Sequence, residues 1–515
     1  MPNRPPKKKI IWQPLPGSQQ FAITAPVNHI LFEGTRGPGK TDAQLMRFRK
    51  DVGRGYGASW KGIIFDRQYK SLDDLIAKSK RWFPQFNDGA KFLSAQNQLK
   101  WVWPSGEELL FRHMDQESDY DNYHGHEYPF IGWNELTKYP TSACYDMMMS
   151  VNRSSFIPEE HTPRRANGDY LTPDGKPLPD IPLTVFSTTN PFGAGHNWVK
   201  RRFIDPAPAG KVIRTTTEVF NPRTQVREDI ITTQVRLFGS YKENKYLDPI
   251  YVASLENIKD VNRRKAWLLG DWDVVAGGAI DDVWSTDVHK LPRFPVPANW
   301  KIIRSFDWGS THPFSVGWWA VANGEAVHIG DGVIKHFPAG TLIRIGELYG
   351  ADLYNGELYG HNKGKMWSAR KIAEEILNYE AELLSLDWVQ SKPQPGPADG
   401  QIYGVNEKES GSIADRMEAV GVKWYPADKR PGSRINGLQL FRDMLEASTR
   451  QEGAGLYVMD HCEAFLETVP TLPRDEKKPD DVDTTAEDHV FDEVRYMVLD
   501  QKPQWTSNIP IQFGF

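Results

Sequence analysis

Cysteine is nearly missing from this chain of 515 residues: Cys144 and Cys462 are its two thiols. That excludes a disulfide framework or a cysteine zinc site, and makes a reducing cytoplasm the expected home. Long apolar runs are missing as well. None approaches the ~20 residues needed to cross a bilayer, so no membrane-spanning segment is expected. The basic start "MPNRPPKKKI" is followed by "IWQPLPGSQQ" rather than by an apolar signal segment. Excess positive charge is also lacking. The formal net charge is −5, so any nucleic-acid contact must come from local basic patches. There is no internal repeat, and "SKPQPGPADG" and "PRDEKKPDDVDTTAED" are the most biased stretches.

What is present is size and order. At this length one ordinary core is exceeded and two substantial domains are expected. The 18 Trp residues fit large cores or stacking surfaces without selecting either. The first half alternates strand-like and helix-like runs: "HILFEG", then "KTDAQLMRFRKDV", then "KGIIFDR", then "SLDDLIAKSKRWF", followed by the apolar runs "YPFIGWNE" and "IPLTVFSTTNP". Such alternation predicts a parallel α/β sheet whose ligands sit at the strand ends. The Gly- and Pro-rich stretch Gly270 to Trp300 suggests a boundary. Beyond it, "WKIIRSFDWG" and "PFSVGWWAVANGEAVHIGDGVIKHF" predict three consecutive strands with Asn323-Gly324 as a hairpin turn. "SARKIAEEILNYEAELL" and "SRINGLQLFRDMLEAST" predict helices.

Two groups of residues carry chemistry. "GTRGPGKT" matches the phosphate-loop pattern through Gly34, Gly39, Lys40 and Thr41, with Arg36 and Gly37 inside it. Glycines let successive N–H groups face phosphates; Lys40 would reach the β/γ-phosphates and Thr41 would ligate Mg²⁺. "FIGWNE" ends in Asn134 and Glu135, and Glu135 is a candidate to polarise water, unless the pair only caps a strand end. Asn134 stands where an Asp would serve Mg²⁺ better. "VFSTTNP" ends in Thr188, Thr189 and Asn190, candidates for sensing the γ-phosphate.

In the second half, Asp307 ends a core strand, where a carboxylate is costly unless it binds something. Asp399, in "GPADGQIY", also reads as an ordinary Asp-Gly turn. In "TTAEDHVFDEVRYMV", Thr484 or Thr485 is expected to cap a helix with Val490, Val494 and Met497 inward. Asp488 and Asp492 then share a face, with His489 beside them. Several converging carboxylates suit two-metal phosphodiester cleavage with Mg²⁺ or Mn²⁺. The preceding "RDEKKPDDVD" reads as a solvated acidic loop. Lys200, Arg201 and Arg202, and Lys423, Lys429, Arg430 and Arg434, are candidate phosphate contacts.

Taken in order, "GSQQFAI…LFEGTRGPGKTD", "YHGHEYPFIGWNELT", "STTNPFGAGHNWVKRRFI", "ENKYLDP", "LLGDWDV", "SFDWGSTHPFSVGWW", "RINGLQLFRDML" and "DVDTTAEDHVFDEVRYMV" resemble the large terminase subunit of tailed bacteriophages, from about Gln19 to Met497. The resemblance implies an N-terminal RecA-like P-loop ATPase (1–275), a linker (276–298) and a ribonuclease H-like mixed-sheet nuclease (299–515). It implies ATP-driven movement of double-stranded DNA into a capsid and metal-dependent cutting of concatemers in the host cytoplasm. It also implies a portal protein, a small terminase subunit and a pentameric ring as partners. By motif, Lys40 and Thr41 take ATP and Mg²⁺, Glu135 is the catalytic carboxylate, and Thr188, Thr189 and Asn190 couple hydrolysis to movement. Gln19 or Gln20 lies where family members contact adenine, Arg36 is placed near the γ-phosphate, and Asp307, Asp399 and Asp488 or Asp492 ligate the nuclease metals. Two departures are Asn134, for the usual Asp, and His124 beside Gly125, where many members have an arginine finger; Arg112 or Arg67 are substitutes for it. The alternatives are an ATP-driven helicase or remodelling enzyme with a non-cleaving second half, and a structural docking protein with an inert nucleotide site.

Overall fold

The computed structural model describes residues 10–501 apart from 96–97, 260, 273–277, 331, 352–361, 386–387, 405–410, 476–477 and 479. The chain divides into two compact units, Met1–Gly277 and Gly278–Phe515. Among the described residues no helix is long and apolar enough to cross a membrane.

The first unit is built on a nine-stranded sheet. Its strands are β1 (His29–Gly34), β2 (Lys61–Asp66), β3 (Lys91–Leu93), β4 (Lys100–Val102), β5 (Glu108–His113), β6 (Phe130–Trp133), β7 (Thr184–Thr188), β8 (Ile213–Asn221) and β9 (Val226–Gly239), in spatial order β3-β4-β5-β2-β6-β7-β1-β9-β8. The run from β5 to β9 is parallel, and β3, β4 and β8 add antiparallel edges. Strands β1, β2, β6 and β7 are apolar almost throughout because both faces are covered. Ile30 and Phe32 face one core with Ile64, Phe130 and Phe186; Leu31 faces the other with Ile63, Ile131 and Val185. A parallel sheet covered on both faces releases its chain at the strand ends, and there the polar residues gather.

The second unit carries a seven-stranded mixed sheet. Its strands are β10 (Lys290–Leu291), β11 (Lys301–Asp307), β12 (Ser315–Val321), β15 (Leu342–Tyr349), β16 (Pro397–Ala398), β17 (Tyr425–Pro426) and β18 (Leu456–Met459), in order β10-β18-β15-β12-β11-β16-β17. The pair β13 (Ala326–His328) and β14 (Ile334–His336) stands apart. Asn323-Gly324 therefore turns the chain without forming the expected hairpin, because β12 pairs with β11 and β15 while β13 pairs with β14. The expected helices form at Ala369–Ser385 and Ser433–Arg450, and the last one at His489–Asp500. Within the stretch 276–298 expected as a linker, Ala279, Ile280, Leu291, Phe294 and Val296 belong to this unit's core.

Candidate functional sites at two sets of strand ends

Glycine geometry makes the first site. Gly34, Gly37 and Gly39 have φ of +117°, +99° and +83°, a region that side-chain-bearing residues avoid, so the chain coils between β1 and the helix Lys40–Arg49. Thr41 is the second residue of that helix. Buried Lys40 Nζ donates to Thr35 O at 2.7 Å and to Asn190 Oδ1 at 2.7 Å. Asn190 Nδ2 in turn donates to Glu135 Oε2 at 3.3 Å. Lys40, Asn190 and the candidate carboxylate of Glu135 thus form one chain across the ends of β1, β7 and β6. Burial lowers the Lys40 ammonium to about 8, against the opposing pull of Glu135 and Glu33. Glu135 itself sits at φ +55°, a strained conformation for a residue with a side chain and one that clusters at working sites.

The neighbouring candidates are placed differently. Thr188 Oγ1 donates to Asn134 Oδ1 at 3.3 Å and accepts from Glu135 N at 3.2 Å. Thr189 is buried and turned away, its hydroxyl 2.7 Å from that of Thr137. Gln19 is buried and ties the helix Ser18–Thr24 to the loop, its amide donating to Gly39 O at 3.0 Å while its carbonyl accepts from Leu15 N; Gln20 is exposed. The Arg36 guanidinium lies 3.4 Å from the centre of the Trp267 ring. Arg67 donates to Asp115 at 2.7 Å and Arg112 to the carbonyls of Gln98 and Phe111.

One acid escaped the sequence reading. Asp66 ends β2, is fully buried, and accepts from Asn134 Nδ2 at 2.8 Å and from Lys138 Nζ at 3.1 Å. A carboxylate therefore stands one strand away from Asn134, where the sequence shows only an amide. The signal was present in "KGIIFDR", another apolar strand with a polar end. A second unread acid, Glu33, is buried at the base of the loop. It binds Trp272 Nε1 at 3.0 Å and Arg236 at 3.1 Å, and burial pushes its carboxyl up. Through Trp267, Gly270 and Trp272, the "WLLGDW" stretch packs beneath the glycine-rich loop.

The second site repeats the strategy on the other sheet. Asp307 ends β11 and Asp399 follows β16. The two strands run parallel with Phe306 opposite Ala398, and Asp399 N donates to Phe306 O, so the carboxylates leave one sheet edge together. The helix His489–Asp500 crosses this edge. Tyr496 OH donates to Asp307 Oδ1 at 3.1 Å, and His489 Nδ1 lies 3.6 Å from Asp307 Oδ2. Val490, Val494 and Met497 are buried as expected. The Thr cap does not form: Asp488 occupies the cap position, and Thr485 Oγ1 donates to Asp483 instead.

Burial and the nearby Asp492 and Asp399 charges push Asp307 up to about 7. Burial and Asp492 push Asp488 up to about 6. Burial is the main cause in both, and carboxylate oxygens are hard donors of the kind a divalent cation takes. Among the described residues, though, no three His, Cys, Asp or Glu side chains are gathered tightly enough to hold one. The carboxylates are drawn to basic side chains instead. Lys429 Nζ binds Asp399. Arg434 binds Asp488 at 2.7 Å, Asp492 at 3.0 Å and Asp481 at 2.7 Å. Asp481 belongs to the stretch read as a solvated loop, and the structure brings it to the site.

Four of the predicted phosphate contacts have carboxylate partners within the chain. Lys200 binds Asp205, Arg202 binds Asp146, Lys423 binds Glu418 and Arg430 binds Asp428.

No protein-family model and no curated protein matches the chain. Among solved structures it is similar to the large terminase of a thermophilic bacteriophage, at 18% identity over 94% of this chain and 98% of that one, TM-score 0.38. The HK97 bacteriophage large terminase matches at 9% identity over 94% of each chain, TM-score 0.42. The cobalt-bound large terminase nuclease of thermophilic phage G20c matches at 9% identity over 43% of this chain and 96% of that one, TM-score 0.26. With such identities and TM-scores, the functional reading stands on the two sites themselves.

Proposed function

We propose that the chain is the large subunit of a phage DNA-packaging motor, an ATPase joined to a metal-dependent DNA endonuclease. The observation that supports this most directly is the hydrogen-bonded chain Lys40–Asn190–Glu135 on one sheet, with a second, carboxylate-rich strand end on another sheet of the same polypeptide.

In the first site, loop N–H groups and Lys40 bind the phosphates of ATP, and Glu135 takes the proton of the attacking water. Mg²⁺ held by Thr41 would neutralise phosphate charge there. Asn190 touches both Lys40 and Glu135, so departure of the γ-phosphate from Lys40 changes what Asn190 can hold. That is the coupling step, and Thr188 and Asn134 carry it to the neighbouring strands. Asp66 orients Asn134 through its amide hydrogen.

In the second site, Asp307, Asp399 and Asp488 or Asp492 would hold Mg²⁺ or Mn²⁺, which supplies water activation and leaving-oxygen stabilisation when bound. Tyr496 fixes the orientation of Asp307, and His489 lies beside its other oxygen. Double-stranded DNA, a portal protein, a small terminase subunit and a pentameric ring in the host cytoplasm complete the reading, as does a division near 275–298 between the two activities.

Purified full chain should hydrolyse ATP and, with Mn²⁺, nick or linearise plasmid. Lys40→Ala should abolish the first activity and Asp307→Asn the second. If both activities are absent from the unaltered chain, the motor reading falls and a docking protein with an inert nucleotide site replaces it.

A further inference from the structure

One short segment supplies the cations that occupy the second site. Between β17 and the helix Ser433–Arg450 runs "ADKRPG", and Gly432 takes φ +84° so that the helix can start at once. Lys429 reaches Asp399 from this segment, and Arg434, the second residue of the helix, reaches the other acids. All three guanidinium nitrogens of Arg434 are engaged: Nε with Asp481 Oδ1 at 2.7 Å, Nη2 with Asp488 Oδ2 at 2.7 Å, and Nη1 with both Asp492 oxygens at 3.0 and 3.1 Å. Asp307 is the exception, held by the Tyr496 hydroxyl and facing His489.

A guanidinium cannot give up its charge, so it leaves only by exchange. A hard divalent cation needs the same carboxylate lone pairs that the N–H groups occupy. The two cannot hold Asp488 and Asp492 in the same way at once. Asp481 differs from the pair: Asp488 caps the helix His489–Asp500 and Asp492 lies in it, whereas Asp481 comes from the preceding loop and grips the Nε side of the fork, leaving both Nη groups to the other two.

We propose that Arg434 is a built-in counter-cation that a divalent metal must displace from Asp488 and Asp492, and that Asp481 is the anchor that retains the displaced arginine. These are positioning residues, and they set the metal concentration at which the site fills. The proposal rests on the nuclease reading above, since it concerns the same carboxylates.

The test is Mn²⁺ binding by the metal-stripped full chain without nucleotide or DNA, followed by calorimetry and by the Mn²⁺-dependent rise in melting temperature. Asp307→Asn identifies the site as the binding step that it removes. Arg434→Gln should then bind Mn²⁺ roughly tenfold more tightly, equivalent to about 1.4 kcal/mol. Its melting temperature should be lower without metal and its Mn²⁺-dependent rise larger. Arg434→Lys, with one point charge in place of the fork, should fall between it and the unaltered chain. Asp481→Asn, which removes the carboxylate that holds the displaced arginine, should weaken Mn²⁺ binding in the unaltered background and change it little in Arg434→Gln. Should Arg434→Gln fail to fold, Arg434→Lys and Asp481→Asn decide the matter.

Unchanged or weaker Mn²⁺ binding in the arginine variants would make Arg434 a purely structural partner and overturn the proposal, with the nuclease reading intact. Equal weakening by Asp481→Asn with and without Arg434 would make Asp481 a ligand and also overturn it. If no Mn²⁺-binding step in the unaltered chain responds to Asp307→Asn, the nuclease reading fails and the counter-cation fails with it.

Discussion

At the scale of single residues, burial sets the working range of Lys40. A solvated lysine keeps its proton to beyond pH 10, whereas burial brings Lys40 down to about 8. In the proposed role the charged form binds phosphate, so the free protein would lose that cation as pH rises through about 8. Bound phosphate adds negative charge and raises the lysine again. The expected result is that kcat/KM for ATP, which follows the free protein, falls above pH about 8, while kcat holds to higher pH. A flat kcat/KM up to pH 10 would show that Lys40 is not the phosphate-binding cation. Glu135 allows a second prediction. Glu135→Gln keeps the hydrogen-bond partner of Asn190 and removes the proton acceptor. Its kcat should fall by about 10²–10⁴-fold with little change in KM, as single-turnover hydrolysis would show. Asp66→Asn should cost less than Glu135→Gln, because it acts through Asn134.

At the scale of elements, the helix His489–Asp500 is held in register by a buried charge. Glu493, next to Asp492, accepts from Arg344, Ser305, Trp319 Nε1 and Ser315, and both it and Arg344 are fully buried. Ser305 lies two residues before Asp307 on β11, so this network fixes the height at which the helix acids meet the strand acid. Gly317 is required beside it, since a Cβ there would lie 2.3 Å from Glu493 Oε1. Removing one member of a buried pair strands the other, so Glu493→Ala should destabilise the second unit by about 3–5 kcal/mol in urea unfolding. Replacing Arg344 with Met and Glu493 with Leu together should cost far less.

Elements also explain what the sequence could convey. The apolar strands and their polar ends were legible because a parallel sheet covered on both faces leaves a continuous apolar run and then a break: "HILFEG", "FIGWNE" and "VFSTTNP" each show it. Asp66 follows the same rule and was passed over because no motif marks it. Asp481, Lys429 and Arg434 were not legible as neighbours of Asp488. Ion pairing between residues 54 positions apart leaves no local periodicity, and acidic and basic stretches each look solvated alone. Asn323-Gly324 announced a turn correctly, but a turn does not say which strands pair across it.

At the scale of the whole molecule, each unit has its own sheet and its own apolar core. Cores packed around Phe32 and Leu31 cover the two faces of the first sheet, and a separate one around Ile302, Trp318 and Val494 serves the second. Each candidate site draws its side chains from one unit: Lys40, Asn190, Glu135 and Asp66 from Met1–Gly277, and Asp307, Asp399, Asp481, Arg434 and Asp488 from Gly278–Phe515. Sites assembled within separate cores fail separately. Lys40→Ala should therefore lose ATP hydrolysis and keep Mn²⁺-dependent plasmid cutting, and Asp307→Asn should do the reverse. Scanning calorimetry should resolve two transitions, with Mn²⁺ raising the one that Glu493→Ala lowers and nucleotide raising the other. If Lys40→Ala also abolishes plasmid cutting while both transitions stay at their original temperatures, the nuclease requires nucleotide turnover, and the two halves act as one catalytic machine instead of two joined by a chain.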